Sequence, residues 1–299
     1  MSISPISLSS AFDRISAKVD ALFEVLLASP DDTRARLYDA MRHAAIGGGK
    51  RLRPLLLVST AELFGVDRDA AVRAGCAVEA IHVYSLIHDD LPAMDDDDLR
   101  RGKPTVHKAY DDATAVLAGD SLHALAFEIL ADEAVHADPF LRIELVRVLA
   151  EASGPSGMAG GQMMDLEAGK SAYDLNTVTR LQQLKTGALI SAAIEMGAVL
   201  GRASDEIHLA LRGYARDIGL AFQIADDLID VEGDEEKAGK ALRKDEGQGK
   251  ETFVTLLGPA RAREQARMLT EQAIGHLRGF GAEAELLRAL ARFIVERDR

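Results

Sequence analysis

Residues 70–90 of this 299-residue chain read AAVRAGCAVEAIHVYSLIHDD. Apolar residues recur there at three and four, the helical period, yet they cover more than one face. A helix of that kind belongs at the centre of a bundle, ringed by others. It also ends in acid: Asp89 and Asp90 are followed, after Leu91-Pro92-Ala93-Met94, by Asp95, Asp96, Asp97 and Asp98. A second apolar, helix-like run ends in Asp226-Asp227-Leu228-Ile229-Asp230. The pieces Leu86-Ile87-His88-Asp89-Asp90-Leu91 and Gln223-Ile224-Ala225-Asp226-Asp227-Leu228 echo one another, a hint of internal duplication.

The same period runs through the rest of the chain. It predicts helices over 8–28, 33–46, 52–64, 68–90, 112–134, 138–151, 156–168, 174–200, 204–231, 251–278 and 282–297. Strand-like alternation is scarce, Trp is absent, Pro numbers only 8, and no Ser/Gly-rich linker divides the chain. With 47% hydrophobic residues the chain can bury a large core, so residues 1–299 are expected to form a single all-α domain. A net charge of −13 gives no electrostatic support to a nucleic-acid or anionic-membrane partner. Cys76 is the single cysteine, which excludes an internal disulfide, and its apolar setting suits a core position. Met1-Ser2-Ile3-Ser4-Pro5 lacks the basic and apolar regions of a secretory signal. Runs such as Leu55-Leu56-Leu57-Val58 are too short to span a bilayer, so a cytoplasmic protein is expected.

So much carboxylate in one fold repels itself unless something positive sits between the two sets. A hard divalent cation such as Mg²⁺ suits the role, because it takes oxygen ligands and keeps water or substrate phosphate in its remaining positions. Asp226 and Asp230 are spaced i, i+4 and share a helix face. Asp89 and Asp95, six apart, diverge on a straight helix; a kink or bulge at Pro92 is the expected way to bring them together. One acidic cluster alone is usually a solvated, frayed helix end. Two, each in an apolar helical context, point to metal, with Asp89, Asp90, Asp95, Asp226, Asp227 and Asp230 as candidate ligands.

Cations accompany the acids. Gly47-Gly48-Gly49-Lys50-Arg51-Leu52-Arg53 lacks the spacing and the Ser/Thr of a P-loop. Its glycines before a helix still leave backbone N–H groups for an anion, with Lys50 and Arg53 within one turn. Arg100-Arg101-Gly102-Lys103 follows the first acidic motif, and Lys240 and Lys250 follow the second. Lys185-Thr186 lies inside an apolar helix, where a lysine must have a partner. His82 stands two turns before Asp89. Any one of these alone is more often a surface residue, a cap or a satisfied core histidine.

Together they resemble the short-chain trans-isoprenyl diphosphate synthases, most closely the bacterial farnesyl diphosphate synthases. The resemblance runs through residues 48–54, 79–107, Gly161-Gln162, Lys185-Thr186, Phe222-Gln223 to Asp230, and Gly249-Lys250. It implies the isoprenoid synthase fold, an all-α bundle around a deep cavity, and a homodimer with three Mg²⁺ ions per site, Mn²⁺ being a substitute. By resemblance Asp89, Asp95 and Asp226 are the principal metal ligands, with Asp90, Asp227 and Asp230 near them. Lys50, Arg53, His82 and Arg101 would hold isopentenyl diphosphate. Arg100, Lys185, Thr186, Gln223, Lys240 and Lys250 would hold the allylic diphosphate, although the loop 233–247 is more charged than the family pattern suggests. Asp89, Asp95, Asp226, Lys185 and Arg100 are the candidate catalytic residues.

The chemistry so implied is metal-assisted loss of the allylic diphosphate, attack by the isopentenyl double bond on the allylic cation, and loss of a proton. The departed diphosphate can take that proton, which explains why no His–carboxylate or nucleophile pair stands out. Tyr84, five residues before Asp89 and so about 7.5 Å up the helix axis, would floor the pocket beside Ser85 and stop growth at farnesyl diphosphate. A Tyr in an apolar run more commonly just packs between helices. Three rival readings are a geranylgeranyl diphosphate synthase, a class I terpene cyclase and a non-catalytic synthase subunit. The cyclase is disfavoured by the Asp-rich second motif and the Lys50/Arg53/His82 set, the subunit by retention of both acidic motifs.

Overall fold

A computed structural model describes residues 5–168, 170, 172–232 and 250–296. In chain order its helices are α1 (Pro5–Leu26), α2 (Ala35–Ala45), α3 (Leu52–Glu62) and α4 (Arg68–Asp89). A two-residue antiparallel ribbon, β1 (Leu99–Arg100) and β2 (Lys103–Pro104), is followed by α5 (Val106–Ala109), α6 (Asp112–Ala131) and α7 (Pro139–Ser153). Next come α8 (Met158–Glu167), α9 (Leu175–Gln182), a π-helical turn (Gln183–Gly187), α10 (Ala188–Leu200) and α11 (Asp205–Glu232). The chain closes with α12 (Phe253–Leu257), α13 (Pro259–His276), a 3₁₀ turn (Ala282–Ala284) and α14 (Glu285–Glu296).

Helix α4 lies where its composition requires, packed against α1, α2, α3, α6 and α10. Ala71, Ala74, Cys76, Ala77, Val78, Ala80 and Ile81 are fully buried there, on all sides of the helix. Helix α11 is ringed in turn by α10, α13 and α14. Aspartates start the helices: Asp67 accepts from the N–H groups of Asp69 and Ala70, and Asp111, Asp138 and Asp174 cap α6, α7 and α9 in the same way. Small residues set the closest approaches. A Cβ on Gly197 of α10 would lie 2.7 Å from the carbonyl oxygen of Leu57 on α3.

Three local readings need correction. The helix expected over 251–278 is two, because Gly258 turns at φ +79 and Pro259 then opens α13 without an N–H to donate. The 174–200 helix is continuous but carries the π-turn, whose extra residue per turn leaves no trace in the apolar pattern. The chain also holds apolar lengths that four-residue runs did not reveal. Among the described residues α4 and α6 are long and apolar enough to cross a membrane. For α4 the cause is its central position; α6 leaves an outer apolar face with Val116 and Leu117 41% and 56% exposed.

The junction of α1, α2, α3 and α4 is closed by one side chain. Arg51, in the left-handed region at φ +51, is fully buried. Its Nη1 donates to Glu79 of α4 at 2.8 Å, and its Nη2 donates to Asp20 of α1 at 2.6 Å and to the carbonyl oxygen of Ala45 at the end of α2. Removing one member of a buried ionic set leaves the others uncompensated, at a cost of about 3–5 kcal/mol. Arg51→Leu is therefore expected to lower unfolding stability by about 3–5 kcal/mol, with Glu79→Gln restoring part of it in the double variant. Urea denaturation checks this; a loss within the range of ordinary surface substitutions would remove Arg51 from its central role.

Candidate active site

Pro92 does not kink α4; it ends it. Lacking an N–H, Pro92 cannot continue the ladder, and the chain doubles back in turns instead. The N–H of Asp95 donates to the carbonyl of Asp89 at 2.8 Å, and that of Asp96 to Leu91 at 3.1 Å, with Asp96 at φ +50. This return brings Asp95 near enough for its charge to act on Asp89. Burial pushes Asp89 up to about 6; Lys185 and Arg100 pull it back, while Asp95 and Asp90 add to the rise. Asp90 faces elsewhere: it is buried and accepts from Arg100 Nε at 2.7 Å.

On α11, Asp226 and Asp230 are half-buried, and the field of Asp226 reaches Arg53. Asp227 is buried, with one oxygen accepting from Gln223 Nε2 at 3.0 Å and the other from the Phe253 N–H at 2.9 Å. Gln223 Oε1 accepts from Thr186 Oγ1 at 3.1 Å. A polar chain thus ties the π-turn to α11 and to the start of α12.

Lys185 projects from the π-turn and donates to Asp165 Oδ2 at 2.8 Å; Lys250 donates to the same oxygen at 2.9 Å. Burial opposes the charge of Lys185, but Asp165, then Asp89 and Asp95, outweigh it and raise its pKa. Burial likewise pushes Asp165 up, and the two lysines bring it below its usual value. The contact needs Gly161, since a Cβ there would lie 2.2 Å from the backbone nitrogen of Lys185.

The glycine loop and the ribbon meet over a second cationic group. Arg101, at φ +54 in the ribbon turn, folds its guanidinium across Gly48 and Gly49, and a Cβ on Gly49 would fall 2.5 Å from it. Arg53 is half-buried and its Nε has no partner among the described residues. His82 is held neutral, well below the usual range, first by burial and then by Arg53, Arg101, Arg100 and Arg51. Lys50 is exposed and turned towards α14, its Nζ 5.3 Å from the ring centre of Phe293. Lys240 lies outside the described residues.

Of these groups Arg53, His82, Asp89, Lys185 and Thr186 line one cavity of about 370 Å³, whereas Asp95, Asp226, Asp230, Arg101, Lys50, Lys250 and Gln223 lie outside its wall. Arg53, His82, Asp89, Gln162, Lys185 and Thr186 give its polar wall; Tyr84, Met94, Met158, Met163 and Leu166 are apolar. Tyr84 packs edge-on to His88 at 5.7 Å and to His123 of α6 at 5.0 Å, and His123 stacks in turn on Phe127. Ser85 lines the cavity while donating to its own helix at the His82 carbonyl.

Both amide atoms of Gln162 are buried with no protein partner among the described residues, in the wall that also holds Asp89, whose carboxylate burial makes more basic. Those features fit an oxyanion ligand and a cation. Among the described residues no three His, Cys, Asp or Glu side chains form a closed cage. Mg²⁺ does not require one, since it is held by one or two carboxylates per motif together with waters and substrate phosphates.

Arg51, Asp165 and the role of Gly161 escaped the sequence reading. The interior Lys185 signalled that a partner was needed, but nothing in the spacing pointed to Asp165, one helical turn after Gly161.

The sequence profile of the polyprenyl synthetase family matches residues 34–292. The chain is 45% identical to the farnesyl diphosphate synthase of Escherichia coli K12 over 268 residues, 87% of this chain and 89% of that protein. Its fold superposes with TM-score 0.90 on an apo FPP/GFPP synthase from Zymomonas mobilis, at 57% identity over 97% and 99% of the two chains. A Helicobacter pylori geranyltransferase solved with magnesium and isoprenyl diphosphate aligns at TM-score 0.84 and 32% identity, covering 99% of this chain and 100% of that one.

Proposed function

The chain belongs to the polyprenyl synthetase family, and from that premise we propose that the cavity condenses isopentenyl diphosphate head to tail with dimethylallyl and then geranyl diphosphate, releasing farnesyl diphosphate. The observation that carries this reading is the wall of the cavity itself. Asp89 and Lys185 stand on a polar side fit for a metal-bound diphosphate, and Tyr84, Met158, Met163 and Leu166 offer an apolar side fit for a prenyl tail.

In this reading Asp89, Asp95 and Asp226 would hold Mg²⁺, three ions per site, with Asp230 one turn on from Asp226. Asp90 and Asp227 support them indirectly, by fixing Arg100 and Gln223. Ions held there, Mg²⁺ or Mn²⁺ in its place, would supply positive charge to the leaving diphosphate. Lys185, Lys250, Arg100 and Thr186 donate to that diphosphate, favouring the state in which the allylic C–O bond has broken. Arg53, His82, Arg101 and Lys50 bind isopentenyl diphosphate; the neutral His82 can donate without adding to the crowd of cations. The isopentenyl double bond then attacks the allylic carbon, and the proton lost from the adduct passes to the released diphosphate. Met158 and Leu166 keep water from the cation.

Chelation of divalent metal, Asp89→Ala and Asp226→Ala are each expected to reduce turnover by orders of magnitude with the helical circular dichroism unchanged. Asp227→Ala, by contrast, strands Gln223 and the Phe253 N–H and should lower stability by about 1–3 kcal/mol. Full activity in excess chelator would refute the metal reading.

Product length is set, in this reading, by Tyr84 with Ser85 beside it. Tyr84→Ala should deepen the cavity and shift products to C20 or longer, read by chromatography of the dephosphorylated alcohols. A folded, active variant that still stops at C15 would place the floor elsewhere.

The enzyme is read as a cytoplasmic homodimer whose second copy covers the outer face of α6. Val116→Asp with Leu117→Asp should then give a monomer in sedimentation velocity, where the unaltered protein gives a dimer. An unaltered protein that sediments as a monomer would exclude that assembly.

A further inference from the structure

Asp165 lies in neither acidic motif, and the chemistry above makes no use of it. It is 9% exposed, and a single oxygen, Oδ2, accepts from Lys185 at 2.8 Å and from Lys250 at 2.9 Å. The two lysines come from separate segments, the π-turn and the approach to α12. Two ammonium groups converging on one atom repel each other, and they stay together only with an anion between them. Lys185 is therefore not placed by its helix alone, nor Lys250 by its segment alone.

We propose that Asp165 is a positioning residue: it holds Lys185 and Lys250 side by side and so builds, before substrate arrives, a two-pronged cationic seat for the allylic diphosphate. This rests on the reading that both lysines face that diphosphate. Each ammonium has three donors and gives one to Asp165, which leaves two apiece for phosphate oxygens. The seat carries two positive charges against one negative, so it still attracts an anion. Gly161 makes the arrangement reachable. It lets α8 touch the backbone of the π-turn, and Asp165, four residues on, falls on the same face beneath Lys185. Preforming the seat spares the substrate the cost of gathering two repelling side chains.

The test compares Asp165→Asn, Lys185→Ala with Lys250→Ala, and the triple variant, in steady-state kinetics with each substrate varied. Asp165→Asn should raise KM for geranyl diphosphate about tenfold and lower kcat, leaving KM for isopentenyl diphosphate within twofold. In the double-lysine background the same change should add less than twofold, because its targets are gone. Equal weakening of both substrates, or a full tenfold effect without the lysines, would overturn the proposal and assign Asp165 a purely structural role. If removing both lysines leaves KM for geranyl diphosphate unchanged, the placement of that diphosphate is wrong and the proposal falls with it. Should Asp165→Asn not fold, Asp165→Glu decides the matter. It keeps the charge but displaces it by one methylene, and should melt near the unaltered protein while raising KM for geranyl diphosphate several-fold. Unaltered kinetics in that variant would also overturn the proposal.

Discussion

A carboxylate buried in an apolar bundle must find a cation or hydrogen-bond donors, and the polar contacts around the cavity follow from that requirement. Glu79 and Asp20 are met by Arg51, Asp90 by Arg100, and Asp165 by Lys185 and Lys250. Asp89 differs. Its side chain makes no hydrogen bond to the protein among the described residues, and burial carries it up to about 6. The cations around it are each engaged by another carboxylate, Arg100 by Asp90 and Lys185 by Asp165, so none is hydrogen-bonded to Asp89. On the proposed reading that deficit is the binding energy offered to a metal-bound diphosphate.

The architecture was legible in the sequence because its signals are local. The helical period and an apolar run on all sides of residues 70–87 are properties of short windows, and they yield α4 at the centre without reference to the rest of the chain. The candidate site was legible only in part. Type and spacing singled out Asp89, Asp95, Asp226, Lys185 and Arg53, but could not tell an aspartate facing the cavity from one turned into the bundle. Asp226 and Asp227 are adjacent in sequence, yet Asp227 is buried, clamping Gln223 and the Phe253 N–H. That difference depends on where α12 returns, which is a long-range fact. Asp165 and Arg51 escaped for the same reason, since their charged partners lie 20 to 85 positions away.

Pro92 shows a rule of local stereochemistry with two solutions. A proline removes one hydrogen bond, and a helix can answer by kinking or by stopping. Here it stops, because Asp95 N–H finds the Asp89 carbonyl and the turn closes on itself. Glycine acts in the opposite sense at Gly49 and Gly161, where the missing Cβ admits a cationic side chain or its backbone to a distance no other residue permits. The two kinds of residue together set the site's width: proline brings the acids back, and glycine brings the cations in.

Helix α6 joins two properties that would otherwise be independent. Its edge towards α4 backs the cavity, since His123, itself exposed, and Phe127 pack edge-on behind Tyr84, and Gly119 leaves room for His88, which a Cβ would meet at 2.1 Å. Val116, two turns before His123 on the same helical face, and Leu117 are exposed. A close-packed helix moves as a unit, because side chains at native density leave no slack to absorb a shift of its axis. On the proposed reading, any displacement of α6 by an assembling second copy is therefore passed through His123 to the ring of Tyr84. On that same reading the depth open to a growing prenyl chain would depend on the assembly as well as on the residue at its floor.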